Sequence, residues 1–208
     1  MTTVQQIYEE MQRIAPLALA ESWDNPGLLV DCGGEVSRVL VTLDITPEVV
    51  EEAARKGCGL IVSHHPVIFS PLKKLTPRDV SFQLVQKGIS AICMHTNLDA
   101  AAGGVNEVLA QKLGLSDLKM LTEEKIGRIG TLKCEIPLVE FTHSVIELLG
   151  CNGLRYVDAG RPVHRVAVGG RGQRPGAEGR GGRRRLRLLY SAGYRRRLRH
   201  LCDFRPEI

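Results

Sequence analysis

Gly59-Leu-Ile-Val-Ser-His-His-Pro66 is the stretch from which the fold can be read. Leu60-Ile-Val62 is a short apolar run of the kind that forms a strand buried on both faces. Helix signals bracket it. Upstream, Thr46-Pro47 is a cap and first-turn pair that opens a helix stopped by Gly57. Downstream, Thr76-Pro77 repeats the signal and predicts a helix ending near Gly88. Two more strand candidates flank these helices: Arg38-Val-Leu-Val-Thr-Leu43, rich in β-branched residues, and the run from Ile89 to Met94. Strands alternating with helices of this length predict crossover units and a largely parallel sheet, hence an α/β fold.

The pattern extends in both directions. Thr3 can cap a first helix whose apolar residues Val4, Ile7, Tyr8, Met11 and Ile14 recur at helical spacing. A polar loop, Glu21 to Gly27, leads into apolar Leu28-Leu29-Val30, and Gly103 to Leu113 reads as a helix closed by Gly114. Further on, Ile129 to Ile136 reads as a strand, Pro137 to Leu149 as a helix, and His164 to Val168 as a strand running into Gly169-Gly170. The expected organisation is a first α/β lobe over 1–125, the start of an incomplete second lobe over 126–170, and an Arg/Gly-rich tail over 171–208. No internal repeat is present.

Composition sets the outer limits. Of 208 residues, 43% are apolar and 25% charged, the balance of a globular protein, which excludes disorder over most of the length. No apolar run is long enough to span a bilayer. The opening Met1-Thr-Thr-Val-Gln-Gln lacks the basic-then-apolar pattern of a secretory signal. Six cysteines form no CxxC pair, which argues against a disulfide framework or a zinc knuckle, so a reducing, cytoplasmic setting is expected. The net charge of +5 divides unevenly: residues 1–170 hold 16 Lys and Arg against 20 Asp and Glu, whereas residues 171–208 hold 12 Arg, no Lys and 3 acids.

The chemistry-bearing residues follow the strands. Ser63-His64-His65-Pro66 comes directly after Leu60–Val62, at the carboxyl end of a strand, where open α/β sheets place ligands. Adjacent side chains on extended backbone point to opposite sides, so the two histidines can face two ions more easily than chelate one. The next strand ends in Met94-His95-Thr-Asn-Leu-Asp99. If the strands are parallel neighbours, His64, His65, His95 and Asp99 meet in one crevice. Imidazole nitrogens with a carboxylate oxygen suit Zn, Fe, Mn, Co or Ni. Two divalent metal ions about 3.5–4 Å apart would activate water and stabilise a leaving oxygen.

Other candidates have simpler explanations. Asp44, also at a strand end, could lie behind the site, but capping the Thr46-Pro47 turn is the expected role. Trp23-Asp24-Asn25 could line the crevice, but a tryptophan sealing a core edge is the expected reading. Ala100 to Gly104 reads as a tight turn, His143 and Glu147 as a helix-surface pair, and the cysteines as small apolar residues.

Taken in order, Glu21-Ser-Trp-Asp-Asn-Pro-Gly-Leu-Leu-Val30, Leu43-Asp-Ile-Thr-Pro47, Ser63-His-His-Pro66, His95-Thr-Asn-Leu-Asp-Ala100 and Gly103-Gly-Val-Asn106 resemble the GTP cyclohydrolase 1 type 2 homologue family. Its members are also called NGG-one-interacting-factor-three-like or dinuclear metal-centre hexameric proteins. The resemblance covers about residues 1–170 and corresponds to the short form of the family. It implies a two-lobed α/β subunit, a toroidal homohexamer and a di-metal centre. By motif, His64 and His65 match the paired histidine ligands, one for each ion, and Asp99 matches the carboxylate ligand. His95 matches a residue lining the site, where it could act catalytically by shuttling a proton. The implied function is a metal-dependent hydrolase acting on a small nucleotide-like substrate, impaired in this chain by a C-terminal truncation or frameshift. The alternative is a non-enzymatic assembly or interaction protein with a structural or vestigial metal site.

The resemblance stops after Gly170. The family's remaining ligands, a His and a Glu four residues later, have no counterpart there: His200 is followed four residues on by Phe204. Arginine and glycine codons in GC-rich DNA, read one base out of register, yield alanine, glycine and other small residues. The Arg/Gly run therefore reads as the product of a frameshift near Gly170, or else as a disordered tail. A basic arm for nucleic acid is the weaker alternative, because such arms carry lysine as well.

Overall fold

The computed structural model describes residues 2–121, 127–158 and 160–170, together with the backbone of residues 186–191 and 202–204. It divides into two compact units, Met1–Ala102 and Gly103–Ile208.

In the first unit, β1 (Thr2–Thr3) leads into α1 (Val4–Ile14). Thr3 and Gln6 form a reciprocal capping box at its start: the threonine hydroxyl accepts from the Gln6 N–H, and the Gln6 amide oxygen accepts from the Thr3 N–H. After a single 3-10 turn, Leu17–Leu19, come β2 (Gly27–Val30), β3 (Glu35–Val36), β4 (Val39–Thr42), α2 (Pro47–Arg55), β5 (Leu60–Ser63), α3 (Val80–Gln86), β6 (Ser90–Cys93) and α4 (Thr96–Ala100). The main sheet has the order β2-β6-β5-β4. Strands β4, β5 and β6 are parallel, as the alternation of strands and helices predicts, and β2 joins the edge antiparallel.

The sheet is filled from both sides. Leu60, Val62, Ile92 and Met94 pack with Val4, Ile7, Tyr8 and Met11 of α1. Ile61 and Ala91 face the other way, onto Val50, Ala53 and Leu84 of α2 and α3. Every residue of β5 and β6 is buried, which is why these strands read as short continuous apolar runs. Burying each of Leu60, Ile61, Leu84 and Ile92 contributes on the order of 1.5–3 kcal/mol.

Two helix boundaries differ from the sequence expectation. α3 starts at Val80 rather than at Thr76-Pro77, because the Asp79 carboxylate accepts from the Thr76 N–H and hydroxyl, both at 2.6 Å, and closes a turn ahead of the helix. The five-residue α4 was not expected at all; it begins directly after His95.

The second unit contains α5 (Val105–Lys112), β7 (Ser116–Met120), β8 (Arg128–Ile136), α6 (Leu138–Leu149), β9 (Leu154–Arg155), β10 (Val163–Gly170), β11 (Leu186–Ser191) and β12 (Cys202–Phe204). Its sheet has the order β7-β8-β10-β11-β12-β9 and is antiparallel throughout. Ala110 and Leu113 of the α5 region share one apolar cluster with Phe141, Val145, Val166 and Val168. That packing puts α5 in the second unit, whereas a boundary near residue 125 would have placed it in the first. Two segments of the Arg/Gly stretch are strands: β11 pairs with β10, and β12 with β11 and β9. The reading of the rest of 171–208 as disordered or frame-shifted falls outside the described residues. Among the described residues, no helix is long and apolar enough to cross a membrane.

Candidate metal centre

The three parallel strands end together. The sheet ladder continues past β5, where the His64 N–H donates to the Thr42 carbonyl and the His65 N–H to that of Leu43. On the other side the Met94 N–H donates to the Ser63 carbonyl. Asp44, His64-His65 and His95 therefore issue side by side from the carboxyl ends of β4, β5 and β6, the position at which open α/β sheets bind ligands. Because β2 runs antiparallel to β6, with Gly27 opposite Cys93, the loop before β2 arrives at the same end and brings Trp23 and Asp24 with it.

One imidazole nitrogen from each of His64, His65 and His95 lies within 4.8 Å of the other two. The ring centroids are 5.1–5.5 Å apart. Each ring has its Nδ1 engaged from behind. His64 Nδ1 is 3.0 Å from the Met94 carbonyl oxygen, to which it can only donate. His65 Nδ1 is 2.5 Å from Asp44 Oδ1, and His95 Nδ1 is 2.7 Å from Asp24 Oδ1. An acceptor at each Nδ1 places the ring proton there and makes Nε2 the nitrogen available as a lone-pair donor on each ring. His95 Nε2 is buried and has no hydrogen-bond partner among the described residues.

Two carboxylates complete the surroundings. Asp99, 2% exposed on α4, places Oδ1 3.8 Å from His64 Nε2. Burial pushes its carboxyl up to about 6, an effect that His95 reduces and Asp24 increases. Asp24 is fully buried against His95 and also accepts from the Thr96 N–H at 3.0 Å and hydroxyl at 2.5 Å. Burial alone would raise the Asp24 pKa, but the hydrogen bonds from His95 and Thr96 hold the carboxyl below its ordinary value. Beneath the site the Cys93 thiol donates to the His64 carbonyl at 3.1 Å, and burial drives its pKa upward, so it stays a neutral packing group.

The four residues expected at the site, His64, His65, His95 and Asp99, are thus brought together, and His95 stands in the nitrogen cluster on equal terms with the pair. Two expectations are corrected. Asp44 does not cap α2, since Thr46 does so with its own hydroxyl, which accepts from the Val49 N–H; Asp44 is instead the acceptor behind His65. Trp23 does not seal a core edge: it is 37% exposed and belongs to neither apolar cluster of its unit. Its ring lies 6.2 Å from that of Phe69 and edge-on at 6.4 Å to that of His95. In the sequence Asp24 stands only as one of three residues that could line the crevice; its role as the acceptor behind His95 was missed, and no local sequence signal marks it. The other candidates read as expected, except that Cys32 and Cys134 are exposed and so are not apolar packing residues, while the Cys202 side chain lies outside the described residues. The Gly103 N–H is taken up by the Glu107 carboxylate, His143 and Glu147 are exposed on α6, and Cys32, Cys58, Cys93, Cys134 and Cys151 are free thiols.

Fold and site define a class: α/β proteins with a histidine cluster, able to hold a divalent metal, at the carboxyl ends of parallel strands. The chain belongs to the Duf34/NIF3 (NGG1p interacting factor 3) family, whose model matches residues 2–177. A Lactococcus lactis relative named GTP cyclohydrolase 1 type 2 homolog is 35% identical over 171 residues, which are 77% of this chain and 66% of that protein. A Staphylococcus aureus protein of the same name is 44% identical over 114 residues, 53% of this chain and 31% of the relative. The chain therefore spans between about a third and two thirds of the length of these relatives. Among solved structures, the Staphylococcus aureus hypothetical protein SA1388 superposes with a TM-score of 0.72 at 27% identity, covering 81% of this chain and 72% of that one.

Proposed function

We propose that this protein is a divalent-metal-dependent hydrolase acting on a nucleotide-like substrate. The observation that carries the reading is a set of three imidazoles, each with its Nδ1 engaged and each offering one ring nitrogen within 4.8 Å of the other two, with His95 Nε2 buried and without a hydrogen-bond partner among the described residues. A buried acceptor without a donor costs about 1–3 kcal/mol, and a cation removes that cost. The donor set fits Zn, Fe, Mn, Co or Ni, with His64, His65 and Asp99 holding the ion or ions and His95 completing the cluster. A bound divalent cation supplies Lewis acidity that makes water a nucleophile near neutral pH.

The chain's own groups do the remaining work. Asp24 fixes the His95 ring and its tautomer, so that Nε2 presents its lone pair to the site, where it either completes the donor set or, left unligated, takes up a proton from a group in the site and passes it on. The Met94 carbonyl and Asp44 hold the other two rings in the orientation that faces the site. Asp99 contributes negative charge beside His64 from a position closed to solvent. The reading retains two ions, a homohexamer and a cytoplasmic setting, on the strength of the family resemblance.

Metal analysis tests this directly. The full chain, reconstituted with Zn, Mn or Fe, is expected to retain stoichiometric metal and hydrolyse GTP or a simple phosphoester. The His64→Ala/His65→Ala variant is expected to lose both. Stoichiometric metal retained in that variant overturns the site, and metal without turnover in the parent chain favours the non-enzymatic assembly role.

A further inference from the structure

We propose that Trp23 and Phe69 form a stacking wall for a planar heteroaromatic ring at the entrance to the histidine cluster. The inference rests on the hydrolase reading and specifies which part of a substrate is held, and where. The chain has one tryptophan and four phenylalanines, so aromatic rings are scarce. Two of them nevertheless stand outside both apolar clusters of the first unit: Trp23, whose ring meets that of His95, and Phe69, whose ring meets that of Trp23.

The loop that carries Trp23 is anchored without its indole. The Glu21 N–H donates to the Thr96 hydroxyl at 3.0 Å, and Asp24 is fixed by His95 and Thr96. The Asn25 side-chain amide donates to the Ile68 carbonyl at 2.7 Å, tying this loop to the segment that presents Phe69. The backbone of the loop is therefore held by three neighbouring residues, and more than a third of the Trp23 surface faces solvent. The two rings are tilted by 40° with centroids 6.2 Å apart, so they make a shallow apolar corner and not a closed sandwich. The indole centroid is 6.4 Å from that of His95. A ring stacked on the corner at van der Waals distance is therefore held within about one ring's width of the imidazole nitrogens. Stacking gives affinity for any planar base, and hydrogen bonding at the ring edge would be left to other groups.

Because Trp23 is the only tryptophan, its fluorescence reports on this corner alone. The full chain, with its metal content measured beforehand, would be titrated with GTP, ATP and, as a phosphate without a ring, ribose 5-phosphate. Both nucleotides are expected to quench Trp23 emission, and ribose 5-phosphate is not. By calorimetry, Trp23→Leu should weaken nucleotide binding by about five- to a hundredfold, and Trp23→Phe should restore most of it. Neither variant should change the metal content or the affinity for ribose 5-phosphate. Equal nucleotide affinity in the parent and Trp23→Leu, or no binding of either nucleotide to metal-loaded protein, overturns the stacking wall while leaving the metal centre standing. Loss of metal from Trp23→Leu and Trp23→Phe alike also overturns it, by assigning the indole a structural role. Failure of the hydrolase reading shows separately, as metal insensitive to His64 and His65.

Discussion

Behind each imidazole stands a different acceptor: a backbone carbonyl for His64, an exposed carboxylate for His65, a buried carboxylate for His95. A buried charged acceptor orients its ring more firmly than one screened by water. Asp24→Asn is therefore expected to lower metal affinity by about 10- to 100-fold, measured by chelator competition. Asp44→Asn should do markedly less, because the Asp44 side chain is 55% exposed; equal effects would show that burial does not set the ranking. At this scale His64 and His65 were legible only together with His95 and Asp99: a histidine pair alone is more often a surface pair, and it is the two strand ends in matching register that point to one site. The Asp24–His95 contact was not legible, because it joins residues 71 apart through an antiparallel edge strand that sequence pattern cannot assign. Asp44 was misread for a local reason: Thr46, two residues on, is itself a sufficient cap.

Two glycines matter to the elements they serve. Gly27 opens β2 with φ +125°, and a Cβ there would lie 3.1 Å from the Tyr8 hydroxyl. Gly27→Ala should cost about 1–3 kcal/mol in thermal melts and weaken metal binding, because the same strand start aims Asp24. Gly130 on β8 has no positive φ, but a Cβ would lie 2.7 Å from both the Ser116 carbonyl oxygen and a Leu118 methyl on β7. Gly130→Ala should destabilise by a similar amount, about 1–3 kcal/mol, with metal content unchanged. If Gly130→Ala loses metal, the two units are coupled more tightly than their separate cores indicate. Strands β4 to β6 were readable as β-branched or apolar runs between capped helices. β7 was not: Ser116-Asp-Leu-Lys-Met120 has no buried residue, so it carries no apolar run to read.

At the scale of the whole chain, each unit has its own apolar clusters, and among the described residues the groups of the candidate metal centre belong to the first. Calorimetry should resolve two unfolding transitions. A divalent ion at 100 times its Kd should stabilise only the first unit, by about 2.7 kcal/mol. A single transition, or equal shifts in both, would refute independence. The charge division visible in the composition, acidic up to residue 170 and arginine-rich beyond, falls entirely within the second unit and leaves the metal centre in the acidic part.

The placement of the site also governs timing. Among the described residues, the side chains gathered at the site and the groups that orient them lie between Asp24 and Asp99, within the unit Met1–Ala102. On a translating ribosome this unit leaves the exit tunnel while the second is still being made, and domains fold as they emerge. An ion held at this site would then be captured before the residues beyond Gly170 are made. Nascent chains stalled with residues 1–102 exposed should already retain cobalt. If retention begins only once the second unit has emerged, capture waits on the finished chain.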